Sequence, residues 1–399
     1  MTPQNNTASF AGALWQSAGR DALLVLGMLE ELRHGLLEVR LPDGSERLYG
    51  HGQPMAAWVV RDERVFTAIL QSGDIGFAEA YIDGWWESPD LPALMGLLAH
   101  NRDALRRAVY GHWWGVLKAR CRHWMNANTR SGSRRNIMAH YDLGNEFYRT
   151  WLDAGMTYSS ALFADGATSL AAAQDAKYER ILARLDARPG QEVLEIGCGW
   201  GGFAERAVHA GLKLSGVTLS PAQLAWAQKR VPEADLRLMD YRDIRQSYDH
   251  VVSIEMFEAV GERYWPDYFR TLACALKPGG KAVVQSIVID DALFASYRRG
   301  TDFIQQHVFP GGMLPSPKVF GEAAAKAGLK VSDQFAFGKD YGRTLALWHE
   351  RFEAAWPEIR AQGFDERFRR LWRMYLAYCE GGFAAGSIDV VQFELQHAG

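Results

Sequence analysis

The sequence predicts an α/β protein: a doubly wound, mostly parallel sheet, preceded by a small mixed α+β domain. Two observations carry the main prediction. From Ala171 onward, apolar runs with strand character alternate with helical patterns, as in a parallel sheet joined by crossover helices. The first such run, Glu192–Ile196, ends in Gly197, Gly199, Gly201 and Gly202 and opens into a helical pattern at Phe203. A third observation sets residues 21–125 apart as a separate domain: an alternating segment and a turn precede two helical pieces, with no glycine loop of this kind.

In order along the chain, residues 1–20 read as a loosely ordered lead-in. Leu37-Glu38-Val39-Arg40-Leu41 alternates apolar and polar, as a half-buried strand does, and Pro42-Asp43-Gly44 is a turn. Phe66–Leu70 and Pro92–Leu98 are helical, the second with its proline in the first turn, where a missing N–H costs nothing. Residues 126–136 read as a linker around Arg130-Ser131-Gly132-Ser133-Arg134, and 137–399 as the larger α/β domain. Within it, helices are expected at 171–186, 203–210, 221–228, 268–276 and 319–328. Strands are expected at 192–196, 213–218, 236–239, 250–254 and 281–289, with a turn at Pro278-Gly279-Gly280. Ser220 caps the helix that Pro221 starts. The last 50 or so residues are expected to be helical, with Phe352, Trp356, Phe368, Trp372 and Tyr375 either covering a substrate site or filling core.

The chain has 399 residues, a formal net charge of -3 and 48% hydrophobic residues, so it can bury a full core and is not disordered. Cys121, Cys198, Cys274 and Cys379 are far apart, which argues against a disulfide framework or a zinc site and suits a reducing cytoplasm. No apolar run approaches membrane-spanning length, and no signal-peptide pattern is present. Residues 101–136 hold nine Lys/Arg (Arg102, Arg106, Arg107, Lys118, Arg120, Arg122, Arg130, Arg134, Arg135) against the single acid Asp103, with Trp113, Trp114 and Trp124 interleaved. Such a segment suits an anionic lipid surface or a solvated linker helix. Nucleic acid is disfavoured by the net acidity.

A strand ending in glycines brings its backbone close to a ligand. Here an acid, Glu195, stands ahead of the glycines, which suits a cationic or hydroxyl-bearing cofactor better than a phosphate. The second strand end lacks the carboxylate that an NAD site places on the ribose. S-adenosylmethionine (AdoMet) is therefore expected. Ligands bind beyond the carboxyl ends of the strands in such sheets, so Glu195, Gly197, Gly199 and Gly201 are assigned to its amino-acid end. Thr218, with Leu219 beside it, and Gln223 are assigned to the ribose or methionine end, Asp240 to the adenine amine and Tyr241 to the adenine face.

Several ordered motifs carry a family resemblance: His140-Tyr141-Asp142-Leu143-Gly144-Asn145, Tyr158-Ser159, Glu195–Gly202, Gly216-Val217-Thr218-Leu219-Ser220, Phe257-Glu258, Phe309-Pro310-Gly311-Gly312, Leu314-Pro315-Ser316 and Tyr341-Gly342-Arg343-Thr344-Leu345. Together they resemble the cyclopropane-fatty-acid synthase and mycolic acid methyltransferase family over roughly residues 136–395. Residues 21–135 also resemble the small N-terminal domain of its phospholipid-acting bacterial members. The resemblance implies a seven-stranded AdoMet-dependent methyltransferase fold with an apolar acyl tunnel. It implies methyl transfer to the cis double bond of a lipid acyl chain, at the inner face of a membrane, by an enzyme that is commonly a homodimer. It places Tyr141, Tyr158 and Ser159 along the open side of the cofactor.

The resemblance further implies that cyclopropane-forming members hold a bicarbonate base between a cysteine, a glutamate, a histidine, a tyrosine and a backbone group. Glu258 and Tyr341 match two of these positions, whereas Ser160 replaces the cysteine and Gln285 the histidine. Both replacements can donate hydrogen bonds to an anion. Glu255 stands where many members have glycine, and His307 where many have tyrosine. Each is a candidate base, and each has a plainer alternative: Glu255 as an acceptor for a backbone amide or the cofactor, His307 as a space-filler. The expected product is a cyclopropane, with a methyl-branched or methylene-bearing chain as the alternative. A small-molecule methyltransferase and a non-catalytic lipid-binding protein are the remaining readings.

Overall fold

The computed structural model describes residues 19–109, 143–163 and 167–399, without the side chains of 106–109. The basic, tryptophan-rich stretch beyond residue 109 lies outside the described residues, as do the linker and Tyr141. The chain forms two compact units. One comprises residues up to 119 together with 366–381, and the other comprises 120–365 with 382–399. The expected catalytic span 137–399 is thus interrupted: much of the helix Glu366–Ala384 belongs to the first unit.

The first unit has a four-stranded sheet in the order β2-β1-β3-β4, with β1 Gly35–Arg40, β2 Glu46–His51, β3 Met55–Val60 and β4 Trp86–Glu87. Leu37 and Val39 alternate inward along β1, as their spacing requires. Asp90 caps the helix Leu91–His100, its side chain accepting from the Ala93 amide at 2.9 Å.

The second unit is built on a seven-stranded sheet in the order β10-β11-β9-β8-β5-β6-β7. The strands are β5 Glu192–Ile196, β6 Lys213–Thr218, β7 Asp235–Leu238, β8 Tyr248–Ile254, β9 Leu276–Ile289, β10 Leu329–Ala336 and β11 Ile388–His397. Strands β5 to β9 pair in parallel, and β11 is antiparallel to both β9 and β10. Val193, Leu194, Val251, Val252, Val283 and Val284 are buried because helices cover both faces of this sheet.

Two expectations need correction. The terminal stretch is not helical throughout, since Ile388–His397 is a buried strand. Val391, Phe393 and Leu395 alternate onto one face and join the apolar core, while Val390, Gln392 and Glu394 take the other face. Pro278-Gly279-Gly280 does not separate helix from strand but lies within β9 as an irregularity in its pairing with β8. Gly279 has φ 81°, and a Cβ on Gly280 would stand 2.2 Å from the Asp249 carbonyl oxygen, so glycine is required there.

Candidate active site

The carboxyl ends of β5, β6 and β8 open onto one cavity. It is lined by Tyr158, Ser159, Glu195, Gly197, Gly199, Thr218, Leu219, Gln223, Tyr241 and Glu255, together with Met156, Tyr178, Trp200 and Met256. Gly197 has φ 87°, and a Cβ there would stand 2.9 Å from Cγ of Met256, so the close approach of the loop depends on glycine. Thr218 and Gln223 are joined at 3.2 Å on the second strand end. Gly201 does not line the cavity: at φ 84° it lets the following helix pack on Ala227, whose Cβ would lie 3.2 Å from an added Cβ. Asp240 also stays out of the lining. Its carboxylate is engaged by Arg242 at 2.8 and 2.6 Å, because the side chain caps the short 3-10 turn that starts at Tyr241.

Glu195 is buried, and its Oε2 has no hydrogen-bond partner among the described residues. Burial pushes its carboxyl up to about 8, against the opposing pull of Lys177 and Arg230. An unpartnered acidic oxygen facing a glycine cradle fits a cofactor that brings an ammonium group or hydroxyls, as AdoMet does. Glu195, Gly197, Gly199, Thr218 and Gln223 are the residues that would hold it.

On the side of the cavity away from β7, Glu255 leaves the end of β8 with φ 49°, a left-handed conformation that costs a non-glycine residue roughly 1–2 kcal/mol. Its carboxylate explains why that cost is tolerated. Oε1 accepts from the Ser160 amide at 2.8 Å and from Gln285 Nε2 at 2.7 Å, while Oε2 accepts from the Tyr341 hydroxyl at 2.7 Å. Hydrogen bonds to a charged group contribute about 1.5–3 kcal/mol each, so three of them outweigh the strain. Burial raises the Glu255 pKa, and these donors with nearby Lys177 oppose the rise.

Glu258 lies one 3-10 turn further on, inside the helical turn Phe257–Ala259. Its Oε1 accepts from the Ile287 amide, and Oε2 has no partner among the described residues. Burial, and then the charge of Glu255, push it up to about 8. Of the two buried carboxyls, Glu255 has three donors to its charged form, whereas Glu258 has one and is raised further by the charge of Glu255.

The structure thus brings Glu255, Ser160, Gln285 and Tyr341 into direct contact. Ser160 takes part through its backbone amide rather than its hydroxyl, which donates to the Ala161 carbonyl at 3.0 Å. His307 stands apart from these contacts, stacked on Phe303 at 5.4 Å at the end of the helix Phe303–His307. Trp348 lies 5.3 Å from the ring of Tyr158 and 6.1 Å from that of Tyr341.

Lys177 escaped the sequence reading. It is fully buried in the helix Leu170–Leu185, donating to Ser159 Oγ at 2.6 Å and Gln174 Oε1 at 2.7 Å. Burial lowers its pKa to about 8, although Glu255, Asp153 and Glu195 all pull it upward. One signal was available: Gln174 and Lys177 stand among Ala173, Tyr178 and Ile181 on the buried stripe of an amphipathic helix, where unpaired polar residues do not belong.

The fold and this site define an AdoMet-dependent methyltransferase. More narrowly, the chain belongs to the mycolic acid cyclopropane synthetase family, whose model matches residues 128–393. It is 38% identical over 380 residues to the tuberculostearic acid methyltransferase UfaA1 of Mycobacterium tuberculosis, covering 91% of this chain and 88% of that one. It is 35% identical over 341 residues to the cyclopropane-fatty-acyl-phospholipid synthase of Escherichia coli K12, covering 84% and 86%. Among solved structures, the cyclopropane synthase MmaA2 of Mycobacterium tuberculosis superposes with a TM-score of 0.61 at 32% identity, covering 66% of this chain and 97% of that one. The mycolic acid cyclopropane synthase CmaA1, solved with SAH and CTAB, gives 0.62 at 31% identity, covering 66% and 98%. Fatty-acyl methyl transfer or cyclopropanation is the activity of this family, and AdoMet is its cofactor.

Proposed function

We propose that this chain methylates the cis double bond of unsaturated acyl chains in membrane phospholipids, with its own Glu255 as the proton acceptor. The observation that carries the reading is the Glu255 carboxylate. It lines the cofactor cavity and takes hydrogen bonds from Ser160, Gln285 and Tyr341, three positions at which the resemblance implies a bicarbonate. A tethered carboxylate there takes the place of a diffusible anion, so no bicarbonate is needed.

A phospholipid substrate is supported by the extent of the likeness. The MmaA2 match uses 96% of that protein but only 65% of this chain, whereas the phospholipid synthase of Escherichia coli matches 84% of it. The additional length includes residues of the first unit. The same reading places the protein on the inner face of the membrane, with the basic stretch 101–136 against anionic lipid and a homodimer as its assembly. No helix among the described residues is long and apolar enough to cross a bilayer.

AdoMet, when bound, supplies an electrophilic methyl group. The alkene is a weak nucleophile, so the protein must hold it in line and dry. The ring of Tyr158, which lines the cavity and is backed by Trp348, offers a π face to the positive charge that develops on the acyl chain. Glu255 then takes the proton, and Tyr341, Gln285 and the Ser160 amide fix where it stands. If the proton leaves the added methyl while the charge is on the neighbouring carbon, that carbon pair closes a three-membered ring. If hydride first moves from the methylated carbon to the cationic one, loss of a methyl proton puts its C–H pair into a double bond and leaves a methylene branch on the open chain.

Glu255 supports this second product as well. Its three donors make it a weaker base than an unpartnered buried carboxylate, which slows proton removal and gives the hydride shift time to compete. UfaA1, named for tuberculostearic acid, shares most of the chain's length. The deciding experiment uses AdoMet and anionic vesicles of a monounsaturated phospholipid deuterated at one vinylic carbon, with NMR of the released acids. A ring leaves the deuterium on its own carbon. A methylene product carries the label from the methylated carbon to its neighbour. Unmodified acids, with methylation of a soluble amine or hydroxyl acceptor instead, would overturn the reading.

A further inference from the structure

We infer that Arg180 and Gln392, neither of which touches the reacting groups, are positioning residues that set the polarity of Gln285 so that its NH2 group, and not its carbonyl, faces Glu255. The inference rests on the reading of Glu255 as the base and extends it.

A glutamine amide is nearly symmetric in shape and opposite in polarity at its two ends. Nothing in the packing of Gln285 alone forbids the rotated amide, which would set a carbonyl oxygen against the Glu255 carboxylate. The hydrogen bonds beyond it decide the matter. Gln285 Oε1 accepts from Gln392 Nε2 at 3.0 Å, and Gln392 Oε1 accepts from Arg180 Nη1 at 2.7 Å. Gln285 Nε2 is then left to donate to Glu255 at 2.7 Å. A guanidinium has donors only and stays charged. With Arg180 at the outer end, each amide in the row has one permitted orientation.

The sheet builds this row. Phe335 of β10, Gln392 of β11, Gln285 of β9 and Ile254 of β8 are lateral partners in register, and Glu255 is the next residue after Ile254. Side chains directly opposite one another share a face, so Gln392 and Gln285 meet by strand register. Both are buried, at 2% and 0% exposure, where an unpaired amide would be costly. Arg180 reaches the row from the helix Leu170–Leu185, its guanidinium 4.0 Å from the ring centre of Phe335. Asp333 lies 3.9 Å from it, and Arg184 and Glu394 complete the charges around it. At the inner end, the ionisable groups facing Glu255 are Glu258, Lys177 and Tyr341.

The test compares Arg180→Met, Arg180→Lys and Gln392→Glu with the wild type and with Glu255→Gln. For each, the pH dependence of kcat on monounsaturated phospholipid vesicles is measured, with calorimetric AdoMet affinity as the check on folding. A carboxylate at 392 accepts from Arg180 and offers only acceptors to Gln285, turning its amide. Glu255 then loses a donor to its charged form, and its pKa rises. The acidic limb of kcat is expected to move up by about one pH unit, so that kcat in the limb falls about tenfold. AdoMet affinity should be unchanged. Arg180→Met, which frees both orientations, should give a smaller shift in the same direction, and Arg180→Lys, still donor-only, should restore most of it.

If Glu255→Gln is inactive while Arg180→Met and Gln392→Glu keep the wild-type limb, the relay is refuted and the base stands. If Glu255→Gln retains wild-type turnover, the base reading fails and the relay with it. Should Gln392→Glu lose AdoMet binding, the contrast between methionine and lysine at the partly exposed position 180 decides alone, and equal profiles there overturn the inference.

Discussion

Replacing Glu255 by glycine tests the site most directly. The substitution removes the proposed base and leaves the Ser160 amide, Gln285 Nε2 and the Tyr341 hydroxyl pointing at an anion-sized gap. Three hydrogen bonds to a charged group are lost, each contributing about 1.5–3 kcal/mol. Relief of the φ 49° backbone returns only about 1–2 kcal/mol, so the variant should melt below the wild type. Loss of a positioned general base lowers turnover by roughly 10²–10⁴-fold. Because the donors remain, a small planar anion should refill the gap, and bicarbonate should restore turnover saturably. Glu255→Gln fills the same space with a neutral amide, so it should be equally slow and gain nothing from bicarbonate. The assay is initial-rate transfer of labelled methyl groups to monounsaturated vesicles in degassed, bicarbonate-free buffer, with and without added bicarbonate. Wild-type turnover of Glu255→Gly without bicarbonate would refute the reasoning, as would strong stimulation of the unaltered enzyme by bicarbonate.

The remaining expectations concern the cofactor cradle and the buried carboxyls. Gly197→Ala places a methyl group 2.9 Å from Met256 Cγ at φ 87°, and calorimetry should show AdoMet affinity weakened about tenfold or more; an unchanged Kd would remove the close-approach argument. Glu195 and Glu258 both have folded-state pKa values raised to about 8 from 4.5, so between those values the folded chain holds more protons than the unfolded one. Without cofactor, stability should therefore fall as pH rises from about 5 to 8, by up to about 1.4 kcal/mol per pH unit for each group. Glu258→Gln should flatten that slope in denaturant titrations, and an unchanged slope would mean that Glu258 is already ionised in the folded state.

Much of the lining of this cavity was legible because its signals are local. A glycine that must adopt positive φ, a capping serine followed by proline, and an acid at a strand end act within a few residues, so Glu195, Gly197, Gly199, Thr218 and Gln223 could be placed at neighbouring strand ends from order alone. Their meeting at one cavity follows from the rule that parallel strands present their carboxyl ends together. Asp240 shows the limit of such reasoning. Its position at a strand end was correct, but a neighbouring arginine two residues on engages the carboxylate. Whether an acid faces a ligand or its own chain is a matter of side-chain competition, which spacing does not encode.

The fold class, the glycine cradle and the unusual acid at position 255 can be read along the chain, because connectivity and backbone conformation are written residue by residue. Which donors surround that acid depends on contacts made across the fold. Ser160, Gln285 and Tyr341 are 95, 30 and 86 residues from Glu255, and they converge on it through separate elements. The strand Ile388–His397 enters antiparallel beside β9, and that single choice of direction and register puts Gln392 against Gln285. Contacts of that separation are fixed by how the sheet assembles around a common core, and no periodicity within a segment records them.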